Sequence, residues 1–238
     1  MKAVILNSGL GSRMGDITKT HPKCMTEISE NDTILSRQLK LLYKNDIKDV
    51  VITTGYFDDI LVDYCNKLKL NLNIKFIKNE RYSSTNYIYS IYCARNELKD
   101  DIILLHGDLV FSNEVIKNIL NSQNSCMAIS SSVPLPEKDF KAVVSGERIK
   151  KIGIDFFENA YTAQPLYYLK RKEWLVWLNK IIEFCEKENV NCYAENAFNE
   201  ISDNCDIQIY DYKNELCCEI DNVNDLSKVK ERIKCYEE

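Results

Sequence analysis

The chain begins with a buried strand that empties directly into a glycine-rich loop, and few folds accommodate that order. Met1–Leu6 (MKAVIL) is apolar and rich in β-forming residues, and the loop follows at once in LNSGLGSRMGDITKTHPK, residues 6–23. Gly9 and Gly11 let backbone N–H groups approach an anion. Leu6 and Asn7 lead into the loop, and Ser8 and Ser12 add hydroxyl donors. Arg13 offers a planar fork for phosphate oxygens, and Lys23, stiffened by Pro22, presents a compact cation. The stretch reads as a wrap around a triphosphate, with Arg13 and Lys23 closing over it. A Walker A loop is excluded, because no Lys-Ser/Thr follows a four-residue gap between glycines. A Rossmann fingerprint is excluded too, because Met14 stands where its third glycine belongs. The plain alternative is an ordinary strand-to-helix turn, and Ser12-Arg13 with Pro22-Lys23 weighs against it.

The remainder of the first half alternates. Helical spacing marks 33–43, 58–68 and 86–98, while 49–53, 73–77 and 101–105 read as buried strands. Such alternation predicts a parallel sheet with right-handed crossovers, in which ligands sit beyond the carboxyl ends of strands. The second half changes to short strands at 125–131, 141–145, 149–154, 206–210 and 216–220. A long helix over 173–187 carries Trp174 and Trp177 as core residues, and 223–236 forms a closing helix. The expectation is an α/β single domain, residues 1–238. Residues 1–124 form its nucleotide-binding half, and 125–238 a more β-rich acceptor-binding half.

Composition narrows the classes. A net charge of −5 speaks against non-specific nucleic-acid binding. Met1-Lys2 leads straight into the first strand, and no apolar run reaches membrane-spanning length, so a cytoplasmic protein without a membrane partner is expected. The ten cysteines form no Cys-x-x-Cys pair and mostly sit in apolar runs, which predicts reduced, buried thiols.

Residues 6–23 resemble the signature of the nucleotidyltransferase superfamily of pyrophosphorylase type, with Asn7 and Ser8 standing where two alanines are usual. The resemblance implies a Rossmann-like, mostly parallel mixed sheet flanked by helices, of the nucleotide-diphospho-sugar transferase type. It also implies Mg²⁺ as cofactor. Asp108 in HGDLVF and Asp221 in EIDNVNDL match the family's two metal aspartates, although each taken alone reads first as a strand-end aspartate capping a turn. His106 stands where the family often has a further aspartate.

The segment NERYSSTNYIYS, residues 79–90, resembles that of LicC-like choline-phosphate cytidylyltransferases, which implies CTP as donor. Tyr82 is then expected against the pyrimidine, and Ser84 and Asn86 at its polar edge. Helix N-capping is an equal alternative for the last two, and one residue can serve both roles. For the acceptor, Lys141 suits a carboxylate and Glu195 an ammonium, which together describe an amino acid. The resemblance is then to the phosphoglutamine cytidylyltransferases of capsular phosphoramidate biosynthesis. A solvated surface lysine is the alternative reading of Lys141.

The expected activity is transfer of CMP from CTP to a small phosphorylated acceptor, best phosphoglutamine, with loss of pyrophosphate. Phosphocholine or a sugar 1-phosphate is the competing acceptor. A silent nucleotide-binding module and a purely structural domain complete the rivals. Oligomeric state is left open.

Overall fold

Leu6 ends a strand whose alternate residues feed two separate cores, and the architecture grows from that division. The computed structural model describes residues 1–237, with side chains through Lys234; the expected buried thiol of Cys235 lies outside the described residues. In chain order the elements are β1 (Lys2–Leu6), α1 (Ile34–Lys44), β2 (Asp49–Thr54), α2 (Asp58–Lys67), β3 (Asn73–Lys78), α3 (Tyr87–Ala94) and β4 (Ile102–His106). There follow β5 (Leu109–Phe111), α4 (Asn113–Leu120), β6 (Cys126–Ser130), β7 (Lys141–Ser145), β8 (Arg148–Gly153) and β9 (Ala160–Leu169). The chain closes through α5 (Arg171–Glu186), α6 (Ala194–Ile201), β10 (Gln208–Asp211), β11 (Cys217–Glu219) and α7 (Val223–Glu237).

One nine-stranded sheet, ordered β3-β2-β1-β4-β9-β6-β10-β8-β7, runs through both halves of the chain. The first four strands are mutually parallel, as the alternation demands, and β9 enters antiparallel between β4 and β6. On one face Val4, Val51 and Leu104 pack against α3, α5 and α6; on the other, Ala3, Ile5 and Ile103 pack against α1, α2 and α4. Parallel strands covered on both faces explain why these segments are continuous apolar runs. Trp174 and Trp177 are fully buried, as expected, with their indole N–H groups donating to the carbonyls of Leu98 and Ala194 at 2.7 and 2.9 Å. Thr33 caps α1 reciprocally with Ser36, a contact worth about 1 kcal/mol.

Four elements went unread in the sequence: β5, α4, β9 and α6. The ten-residue β9 carries Pro165, a residue that argues against a central strand. Its place resolves the conflict. Pairing with β6 jumps from Met127↔Tyr167 to Ile129↔Ala163, and pairing with β4 stops at Leu166, so the proline occupies an irregularity where no ladder N–H is required. Among the described residues no helix is long and apolar enough to cross a membrane. Cys24, Cys65, Cys126, Cys185, Cys205 and Cys217 are buried thiols, and burial pushes Cys65 up to about 12.

Candidate active site

The carboxyl ends of β1, β4 and β11 meet: β4 and β11 deliver Asp108 and Asp221 two residues beyond their ends, and the long loop after β1 brings Arg13 and Lys23 back to them. The loop after β1 is pinned on both sides: the Asn7 N–H donates to Thr53 O at 3.1 Å, and Gly107 after β4 lies so close that a Cβ there would stand 1.5 Å from Asn7 Oδ1. Gly11 takes φ 65°, the left-handed conformation that turns the loop back toward Lys23. A single turn at 23–25 behind Pro22 then carries Lys23 inward.

Lys23 Nζ lies 2.6 Å from Asp108 Oδ2 and 2.8 Å from Asp221 Oδ1, and Arg13 Nη2 lies 2.9 Å from the same Asp221 oxygen. Burial opposes the charge on Lys23, but Asp108 and then Asp221 outweigh it and hold the ammonium above its ordinary range. Burial likewise opposes ionisation of Asp108, and Lys23 with His106 overcomes it, keeping the carboxyl below its usual value. The four charged residues expected from the sequence thus form one cluster. Asp108 Oδ1 is buried with no hydrogen-bond partner among the described residues, as is Asn7 Nδ2. An orphaned carboxylate oxygen beside a second carboxylate is a hard-donor pair of the kind Mg²⁺ takes, so Asp108 and Asp221 fit that ion.

Three hollows, of about 340, 340 and 300 Å³, open around this cluster, and Asp108 lines all of them. The glycine-loop hollow is lined by Leu6, Asn7, Gly9, Gly11, Ser12, Arg13 and Lys23. The second holds Ser8, Tyr82 and Asn86 as expected, together with Asn79, Thr85 and Ser90. Its floor is a buried polar mesh: Ser8 Oγ lies 2.5 Å from Ser90 Oγ, and Asn79 Nδ2 donates to that hydroxyl at 3.0 Å. Asn86 caps α3, its side chain accepting from the Tyr87 N–H, and also lines two of the hollows. Ser84 does not line the hollow; its exposed hydroxyl donates to the Arg81 carbonyl within a turn.

The third hollow corrects both acceptor expectations. Its walls include Tyr87, His106, Phe140 and Tyr193, with Arg13, Lys138, Asp139, Ile154, Glu219 and Asp221. Lys141 is neither solvated nor in the hollow: its side chain is fully buried and its ammonium is spent on backbone carbonyls. The cation facing the hollow from this segment is Lys138. Glu195 is also buried, beneath the hollow, where it accepts hydrogen bonds from the hydroxyls of Tyr87 and, at 2.7 Å, Tyr167. Both phenols are pushed far above their ordinary range, by burial first and by Glu195 second. Glu195 therefore fixes Tyr87 rather than meeting a ligand. The four rings form a box: Tyr87 stacks on Tyr193 at 5.8 Å, and Phe140 meets Tyr193 edge-on at 5.2 Å. Tyr87 and His106 approach to 4.6 Å. These residues come from segments far apart in sequence, so no local pattern announces them; the one available signal was the aromatic density of 82–92 and 193.

His106 also meets Glu219, with Nδ1 3.1 Å from the carboxylate. Burial, then Asp108, pushes Glu219 up to about 7. Burial opposes protonation of His106, but the Glu219 contact more than offsets it and raises its pKa. Both folded-state values exceed those of the unfolded chain, so the folded state binds more protons from about pH 4.5 to 7 and loses stability as pH rises through that window. The melting temperature of metal-free, nucleotide-free protein should therefore decline between about pH 5 and 7.5. Glu219→Gln should flatten that decline; an unaltered slope in the variant would assign it elsewhere.

Residues 3–178 match the model of the MobA-like NTP transferase domain. The chain is 31% identical over 129 residues to the CTP:phosphoglutamine cytidylyltransferase of Campylobacter jejuni, covering 52% of this chain and 49% of that one. It thus spans about half the length of that relative. Over 247 residues it is 24% identical to the choline-phosphate cytidylyltransferase of Streptococcus pneumoniae, covering 98% and 99% of the two chains. The solved structure of the CTP:phosphocholine cytidylyltransferase LicC from Streptococcus pneumoniae superposes with a TM-score of 0.80 at 18% identity, over 98% of each chain. At that identity the likeness speaks for the fold, and the fold is the mixed-sheet nucleotide-diphospho-sugar transferase type expected from the sequence.

Proposed function

Because the chain belongs to the MobA-like NTP transferase domain family, we propose that it transfers CMP from CTP to a small phosphorylated acceptor and releases pyrophosphate. The observation that carries this reading is the meeting of three hollows at one carboxylate, Asp108, which Lys23 and Asp221 flank within ion-pair distance. A triphosphate along the glycine loop, a pyrimidine over the Ser8–Asn79–Ser90 mesh and an acceptor in the aromatic box then converge there. CTP is favoured by the names of the relatives and by a polar floor that suits a pyrimidine edge.

In the reaction an acceptor phosphate oxygen attacks the α-phosphorus in line; that P–O bond forms as the bond to the β-phosphate breaks. An ionised phosphate needs no general base, so positioning and charge neutralisation carry the rate. Arg13 and Lys23 hold phosphate oxygens, and the glycine loop orients the chain of phosphates. Mg²⁺, held by Asp108 and Asp221, would polarise the α-phosphate and steady the departing pyrophosphate. A cytoplasmic location is part of this reading; among the described residues no helix is long and apolar enough to cross a membrane.

The acceptor carries a cationic nitrogen. The box of Tyr87, His106, Phe140 and Tyr193, with Asp139 and Glu219 beside it, suits an ammonium group. Lys138 and Arg13 in the same hollow leave room for a carboxylate, which keeps phosphoglutamine as the first reading; the ring box alone favours phosphocholine as the second. Pyrophosphate release from CTP with Mg²⁺ should be measured for phosphoglutamine, phosphocholine and a sugar 1-phosphate. Turnover with one of the two nitrogenous acceptors is expected. Turnover confined to the sugar phosphate would overturn the acceptor reading, and none with any acceptor the proposal itself.

A further inference from the structure

Segment 137–140 and Ile154, the residue just after β8, build one wall of the aromatic hollow, and one buried ammonium ties both of them. Lys141 opens β7 opposite Gly153 on β8 and Thr162 on β9. Its Nζ donates to the carbonyl oxygens of Ile154 at 2.6 Å, Asp139 at 3.1 Å and, more weakly, Glu137 at 3.5 Å. The ring centroid of Phe157 lies 4.3 Å from the same atom. Among the described residues no carboxylate forms an ion pair with it, and burial pulls its pKa below the ordinary lysine range.

Such a group is costly to bury unless each proton is bonded, and the three carbonyls match the three protons of an ammonium. What the ammonium adds is geometry, since a single atom binds main chain from two loops at once. Those loops carry Lys138, Asp139, Phe140 and Ile154 into the hollow proposed for the acceptor, and none of the four lines either nucleotide hollow.

We infer that Lys141 is a positioning residue for the acceptor: its ammonium clamps the 137–140 segment to Ile154 and so sets the wall against which the acceptor's nitrogen-bearing end docks. This rests on the cytidylyltransferase reading. It predicts selectivity between substrates, because the clamp touches one side of the cleft alone.

The test is Lys141→Met, which keeps the aliphatic stem and removes every donor. With the acceptor turned over by the unaltered enzyme, acceptor KM should rise about tenfold or more, a tenfold rise being about 1.4 kcal/mol of lost acceptor binding. The Kd for CTP, read by calorimetry, should stay within about twofold, and Lys141→Arg should recover part of the acceptor KM. A folded Lys141→Met enzyme with unchanged acceptor KM overturns the inference, as does an equal rise in both constants, which would mark general loosening. If that variant does not fold, Phe157→Leu carries the test, since the ring is half exposed and its loss spares the core. There an acceptor KM raised about threefold at constant CTP affinity supports the clamp, and no change overturns it. An unaltered enzyme inactive with every acceptor overturns both this inference and the reading beneath it.

Discussion

Lys23→Ala is expected to lower kcat by at least about a hundredfold, the scale of losing one donor that stabilises charge in the transition state. The side chain is only 12% exposed, and its ammonium lies within hydrogen-bond distance of both candidate metal carboxylates. That placement has two consequences. The ammonium stays ionised through any working pH, because its carboxylate partners raise its pKa. It also stands at the mouth of the glycine loop, where a triphosphate brings its densest charge. Lys23→Arg should recover only part of the rate, because a planar fork cannot reproduce a compact point charge in so enclosed a position. Circular dichroism should match the unaltered protein, since Lys23 is held by ion pairs with Asp108 and Asp221 in the cleft rather than by the hydrophobic core. A rate within about threefold of the unaltered enzyme would remove Lys23 from the chemistry.

Asp108→Asn is the second large effect, with activity falling at least about a hundredfold at saturating Mg²⁺. The substitution preserves shape and removes a hard anionic oxygen from the one described residue that lines all three hollows of the site. It also has a signature independent of turnover. Asp108 is one of the groups that push Glu219 up to about 7. Removing its charge should return Glu219 toward the ordinary carboxylate range and narrow the pH window over which the metal-free protein loses stability. A variant that keeps Mg²⁺-dependent turnover would exclude Asp108 as a metal ligand. One that loses turnover but keeps the original pH slope would place the proton of the His106–Glu219 pair under other control. Lys23 and Asp108 are in contact, so the double variant should lose much less than the product of the single losses.

The contrast between what was legible and what was not follows the difference between local and distant interactions. The loop after β1, the N-cap at Asn86 and the strand-end positions of Asp108 and Asp221 are each set within a few residues. Glycine placement, capping chemistry and apolar runs therefore sufficed to find them. Lys141 and Glu195 failed as acceptor contacts for the opposite reason. Each was identified correctly as a charge near the site, but which way a side chain points is decided by the strands and helices beside it. β8 and β9 flank Lys141 on both sides, and the ammonium turns to the nearby carbonyls of its own segment and to that of Ile154, which the β7–β8 pairing brings near. Glu195 sits on α6, an element absent from the sequence reading, with its carboxylate beneath Tyr87 and Tyr167. Pro165 concealed β9, the strand that joins the two halves of the sheet, because its tolerance there depends on an irregular pairing with β6.

The order of residues alone was enough to specify a glycine-rich turn at the end of a buried strand, a parallel sheet behind it, and two aspartates poised at strand ends, because each depends on short-range stereochemistry and periodicity. Tertiary structure alone decided the aromatic box, the His106–Glu219 pair and the inward turn of Lys141. The box and the pair join side chains separated by tens to more than a hundred positions, and the Lys141 ammonium reaches the Ile154 carbonyl across the β7–β8 pairing; the packing of the folded sheet sets those distances.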